Sequence, residues 1–261
     1  MTLKRLLGQA SDKERFASIE DYVDFARAFL DYTSDSLQAT IVSQNEPHYQ
    51  FWQYKKEGHF NVSRPINSKL MLSASDCEAE LQRFKTLLGD IRSKDQDTPE
   101  QRSLLNRCIY SLQQAIGAAL DALPAGESNK ARKINGDLFE RLIRLILVRV
   151  GISCTSGVVS IPVKVDGEVA FQMSYQHDLI IQTGELVKVI GSVKTSSKDR
   201  LDKVFVDKFL FKPTHWHASA PRCHLFERRA EEEHGQRAPV WRQRHLSSGA
   251  FQRLHGEAQP A

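Results

Sequence analysis

Apolar residues recur at helical spacing through the first half of the chain and give way, after about residue 150, to short β-branched runs. Ile19, Tyr22, Val23, Ala26, Phe29 and Leu30 follow the polar Ser18 at the spacing of one helix face, and Leu81, Phe84, Leu87, Leu88 and Ile91 repeat it. Thr98, Pro99 and Gln101 form a helix start, with a capping threonine, proline at the first helical position and glutamine three residues after the cap. That helix is expected to run to about Leu123. A further helix is expected after Asn135, a possible cap, with Leu138, Leu142, Leu145 and Ile146 as its apolar face. Val158 to Val165 and Glu168 to Met173 then flank Asp166-Gly167, a hairpin signal. Leu179 to Ile181 and Leu186 to Val193 read as two more strands joined by a turn at Thr183-Gly184.

This pattern divides the chain. Residues 1–123 read as a helical N-terminal region, and Pro124 to Lys130 as a short polar linker rich in turn formers. Residues 131–212 hold the helix and strands of a mixed α/β core, and 213–261 form an atypical tail. Within the first region, Tyr49, Phe51, Trp52, Tyr54 and Phe60 alternate with Lys55, Lys56 and Arg64. Such a stretch can stack on and clamp nucleic acid; a packed loop or hairpin is its commoner explanation.

The chemistry concentrates between Asp178 and Asp207. Asp178 is expected at the start of one strand and Lys194 at the end of its antiparallel neighbour, so the hairpin brings both to one end of the sheet. The acid can bind a divalent cation there, and the lysine can orient or deprotonate water. Ordinary readings of the same residues are a surface acid and a solvated strand-end lysine.

Asp178, the intervening residues 179–193 and the Val193-Lys194 strand end resemble the PD-(D/E)XK nuclease signature, and the run Lys194-Thr195-Ser196-Ser197-Lys198-Asp199-Arg200 resembles type II restriction endonucleases. The resemblance covers roughly residues 135–212 and implies a restriction-endonuclease-like αβββα core that hydrolyses phosphodiester bonds of duplex DNA with Mg²⁺. His177 stands where the family usually has proline, and Ser192 where it usually has its second acid. A subgroup that also lacks this acid takes a carboxylate from the following helix, which implies Asp207 here; Asp199, Lys203 and Asp207 share a helix face at i, i+4, i+8. Asp207 reads equally as a helix acid paired with Lys203. The resemblance implies a metal held by Asp178, Asp207 and the carbonyl of Val193, with Lys194 positioning the attacking water. Glu140 is a candidate outer ligand, or else a solvated acid near a helix amino terminus. Ser196, Ser197, Lys198, Asp199, Arg200 and Lys203 would face the DNA, Lys198 and Arg200 donating to guanine and Asp199 accepting from cytosine or holding the arginine; a capped helix start with solvated charges is the plain alternative. A palindromic site implies a homodimer, and such a system includes a cognate DNA methyltransferase as a functional partner. Alternatives are a repair or modification-dependent nuclease with the same core, or an inactive DNA-binding remnant.

Charge supports the nucleic-acid reading mildly. The net charge is +4; residues 1–130 carry 16 Lys and Arg against 18 Asp and Glu, a net of −2, and residues 131–261 carry 20 against 14, a net of +6. The basic half is the half with the nuclease-like motif. No apolar run reaches the roughly eighteen residues of a membrane span and no signal-peptide pattern is present, so a cytoplasmic protein is expected. Cys77, Cys108, Cys154 and Cys223 are scattered, without C-x-x-C spacing, and read as reduced structural thiols.

The tail departs from what precedes it. Residues 213–261 contain no Lys, 7 Arg and no Ile, with Val240 their one β-branched aliphatic residue. His215, His217, His224, His234, His245 and His255 show no metal-ligand spacing. A reading-frame change near Lys212 explains the shift. Codons for His245 to Gln259 can be chosen so that a one-nucleotide shift reads TFLPGHFKGYTVKLN, which resembles the downstream part of such restriction enzymes. The tail is then expected to be disordered, leaving the core sheet without its final strands.

Overall fold

The structure, a computed structural model, describes residues 1–54, 61–90, 98–165, 168–183, 186–195 and 222–227. Five helices dominate its first half: α1 (Leu3–Ser11), α2 (Ile19–Ser36), α3 (Ala74–Asp90), α4 (Pro99–Leu120) and α5 (Ser128–Arg149). Their starts follow local chemistry. The Ser18 hydroxyl accepts the Asp21 N–H while Asp21 accepts the Ser18 N–H, and Thr98 and Gln101 form the same reciprocal box at α4, with Pro99 at its first position. From Tyr110 to Leu120 every residue of α4 is buried, which makes it the central helix. Its Ala115, Gly117, Ala118 and Ala119 let neighbours approach closely.

The N-terminal region, which its pattern reads as helical, is not wholly so. It also contains β1 (Leu37–Val42), β2 (Tyr49–Tyr54), β3 (Asn61–Val62) and β4 (Ile66–Asn67), with β2 pairing all the others antiparallel. The reason lies in the aromatic stretch: Trp52 and Tyr54 are buried against Phe29 and Tyr32, at ring-centre separations of 5.9 and 6.4 Å. These two rings are core, not stacking platforms; Lys55, Lys56 and Phe60 lie outside the described residues. Arg64 clamps this sheet to the end of α4. Its Nε and Nη2 donate to the two carboxylate oxygens of Asp121 at 2.9 and 2.8 Å, and its guanidinium lies over Gly117.

Two further expectations are corrected around α5. The expected linker, Pro124 to Lys130, holds a 3-10 turn (Ala125–Glu127) and the first residues of α5. Asn135 is not a cap but a buried residue inside the helix, because Ala131 and Ile134 extend the apolar face upstream of Leu138 and Leu142. Its side-chain Oδ1 accepts from Gln113 Nε2 of α4 at 3.1 Å.

After α5 come β5 (Thr155–Val165), β6 (Glu168–Thr183), β7 (Leu186–Lys194) and β8 (Arg222–Glu227), hydrogen-bonded in that order. Pairing is antiparallel from β5 to β7 and parallel between β7 and β8, where Val189 faces Arg222 and Lys194 faces Glu227. Val165 faces Glu168, as a hairpin at Asp166-Gly167 requires; those two residues and Gly184 lie outside the described ones. The tail, expected to be disordered and to leave the sheet without its final strands, contributes β8 beside β7, and the rest of that expectation lies outside the described residues. β7 offers this segment a ladder of backbone donors and acceptors. Residues 213–221 and 228–261 lie outside the described residues.

One core serves both halves. Side chains from Leu6 through Ile143 and, from β7, Val193 belong to the same buried cluster. Val193 and α5 are therefore where the sheet meets the helices. Among the described residues no helix is long and apolar enough to cross a membrane.

Candidate active site

Asp178 lies well inside β6, not at a strand start, because nothing between Met173 and Asp178 breaks the extended run. Two irregularities set its side chain apart. Thr155 faces Ile180 while Gly157 faces His177, so β6 carries an extra residue beside Asp178, a bulge of the kind that re-aims a side chain. The β6–β7 ladder also ends at Leu179 and Gly191. Beyond that pair the acid replaces a strand partner: Asp178 Oδ2 accepts the Val193 N–H at 2.9 Å and also pairs with Lys194 Nζ. Their side chains are 14 and 13 % exposed, so the ion pair is largely withdrawn from water and its attraction is weakly screened.

Glu140, one turn after Asn135 and Gly136 on α5, completes the cluster. Its pKa is raised, first by burial and next by the negative charge of Asp178, with Lys194 acting in the opposite direction. The structure thus pairs Asp178 and Lys194 between β6 and β7, with Glu140 on α5 near enough for both charges to act on it. Val193 supplies a backbone N–H to the acid and a buried side chain to the core. Asp207, Ser196, Ser197, Lys198, Asp199, Arg200 and Lys203 lie outside the described residues.

Three features of the site lie beyond the sequence pattern, which marks Ser192 only as standing in place of an acid. Ser192 is 5 % exposed and its hydroxyl has no hydrogen-bond partner among the described residues, although the β6–β7 register, continued by one residue, would set it opposite Asp178. The second support is a brace on α5 from the N-terminal helices: the Tyr22 hydroxyl donates to the Leu138 carbonyl at 2.8 Å, and Lys13 pairs with Asp137 at 2.9 Å. Arg141 adds a third, donating to the Lys13 carbonyl. These contacts flank Glu140 on both sides in sequence. Helical periodicity marks Tyr22 and Leu138 as core positions but not as partners of each other.

Asp178 and Glu140 are hard oxygen donors, and Mg²⁺ needs only one or two carboxylates from a protein because it keeps several waters. The pair fits such an ion. Among the described residues no group of three or more His, Cys, Asp or Glu side chains is placed to hold a metal. Cys77 and Cys108 lie elsewhere and are inert: burial pushes Cys77 up to about 11 and Cys108 up to about 12, so neither forms the reactive thiolate at neutral pH.

No family model matches the chain, and no curated protein does. Among solved structures, the crystal structure of the type IIP restriction endonuclease Kpn2I is similar, with a TM-score of 0.52 and 15 % sequence identity over 85 % of this chain and 74 % of that one. The mixed sheet β5 to β8 on α5, preceded by a helical body, is a restriction-endonuclease-like fold.

Proposed function

We propose that this protein is a site-specific endodeoxyribonuclease that hydrolyses phosphodiester bonds of duplex DNA with Mg²⁺, in the manner of a type II restriction enzyme. The observation that carries this reading is the withdrawn Asp178–Lys194 pair beside Glu140, at a bulge in the sheet of a restriction-endonuclease-like fold. Asp178, Glu140 and, from the following segment, Asp207 would hold the ion, with the Val193 carbonyl as a further oxygen. A bound Mg²⁺ supplies charge stabilisation and acidifies a ligated water. Lys194 Nζ orients the attacking water and offsets charge on the pentacovalent phosphorus. The Val193 N–H fixes the rotamer of Asp178, so the carboxylate is oriented before substrate arrives.

Ser196, Ser197, Lys198, Asp199, Arg200 and Lys203 follow this strand end directly and would contact DNA, Lys198 and Arg200 reading guanine. A two-fold DNA site would be met by a homodimer, and a companion methyltransferase would protect the host's own sites. One observation favours a second reading, a DNA-binding protein without cleavage activity: Ser192, not an acid, is buried next to Gly191, where the β6–β7 ladder ends beside Asp178. Digestion of plasmid DNA with and without Mg²⁺ separates the two. Discrete fragments that require the ion support the nuclease; intact DNA that is nevertheless shifted in a gel supports the binding protein.

A further inference from the structure

We propose that Lys194 is the resident counter-ion of Asp178 and that a divalent cation enters the site by exchanging with it, so that metal binding itself releases the lysine for catalysis. This inference rests on the metal-dependent reading above. Asp178 Oδ2 carries two donors of different kinds, the backbone N–H of Val193 and the ammonium of Lys194. Both side chains are about seven-eighths buried, so neither keeps a full hydration shell when the pair is broken. Glu140 adds a second carboxylate whose ionisation Asp178 opposes and Lys194 favours. Asp178 and Glu140 offer two carboxyl groups against the one ammonium of Lys194, while Asp137 and Arg144 act on Glu140 in opposite directions and Ser192 contributes no charge. A dication reverses that balance and repels the ammonium from Oδ2.

Only one of the two donors can leave. The Val193 N–H is fixed in the backbone and keeps the carboxylate oriented, whereas Lys194 Nζ sits on a flexible four-carbon stem at the last residue of β7. Lys194 therefore has two positions with two purposes. In the metal-free protein it neutralises Asp178; in the loaded protein it faces the water or phosphate. Metal affinity is reduced by the ion pair that must be broken, in proportion to its strength.

The test is a Mn²⁺ titration of the full chain without DNA, followed by calorimetry or by the electron paramagnetic resonance signal of free Mn²⁺. Lys194→Met, which keeps the stem and removes the charge, should bind Mn²⁺ on the order of tenfold more tightly than the parent. Lys188→Ala, a lysine elsewhere on β7, should bind as the parent does, and adding Asp178→Asn to Lys194→Met should abolish the gain. Far-UV circular dichroism checks that each variant is folded, and Lys194→Gln provides a second neutral replacement. Equal or weaker binding by both neutral variants overturns the exchange. If neither parent nor variants bind Mn²⁺ at millimolar concentration, the metal-dependent reading falls and the exchange with it. Tight binding in the variants without plasmid cleavage by the parent leaves the exchange standing and removes only the nuclease.

Discussion

Burial favours the protonated form of Glu140, whereas a cation needs its carboxylate. Its folded pKa lies above the unfolded one, so its contribution to stability is fully present below the ordinary glutamate range and is lost as pH rises through the raised value. Glu140→Gln should therefore melt above the parent at pH 8 and together with it near pH 4, while binding Mg²⁺ less tightly. Scanning calorimetry at the two pH values, without metal, checks the sign. Lys194→Ala should lower cleavage by at least about 100-fold while leaving DNA affinity within several-fold, as single-turnover and gel-shift measurements would show. At this scale the sequence exposes Asp178 and Lys194 because a short hairpin joins them. Ser192's orphaned hydroxyl and the Val193 N–H are invisible there, since they depend on where the β6–β7 ladder stops.

Helices α2 and α4 are legible because their caps and apolar stripes are local. The small sheet is less so: β1 to β4 pair around a strand whose aromatic residues are interleaved with polar ones, and their burial is decided by α2. The same holds for α5, whose start is set by Ala131 and Ile134 packing on the helical body and not by Asn135. Gly117 is the clearest dependence of one element on another. A Cβ there would overlap the Arg64 guanidinium, which its two bonds to Asp121 hold in place. Gly117→Ala should cost about 1–3 kcal/mol despite its better helix propensity, read from urea unfolding. Arg64→Ala in the same chain should remove most of that overlap, so that the two costs are not additive.

The molecule does not divide where its composition does. The polar run at Pro124 suggests a boundary, yet α5 packs on both α4 and β7 and shares their buried cluster. Residues 128–261 expressed alone should therefore lack a cooperative thermal transition, whereas the full chain should show one. The tail's composition likewise hid β8, because six residues that complete a ladder hardly alter an average over forty-nine. Its parallel pairing cannot be made by a tight turn, and residues 195–221 lie between the two strands in sequence. At the sheet's other side, among the described strands, β5 pairs only with β6 and leaves a long outer margin. Pro162 interrupts that margin: proline has no N–H to give, and within sheets it is confined to such edges. An incoming strand from another molecule would find the row of donors broken halfway along. Pro162→Val should restore the row and turn β5 into a template for edge-to-edge aggregation, seen as concentration-dependent light scattering and thioflavin binding at temperatures where the parent stays clear. A proline that looks like a flaw in a strand is thus a guard on the protein's solubility.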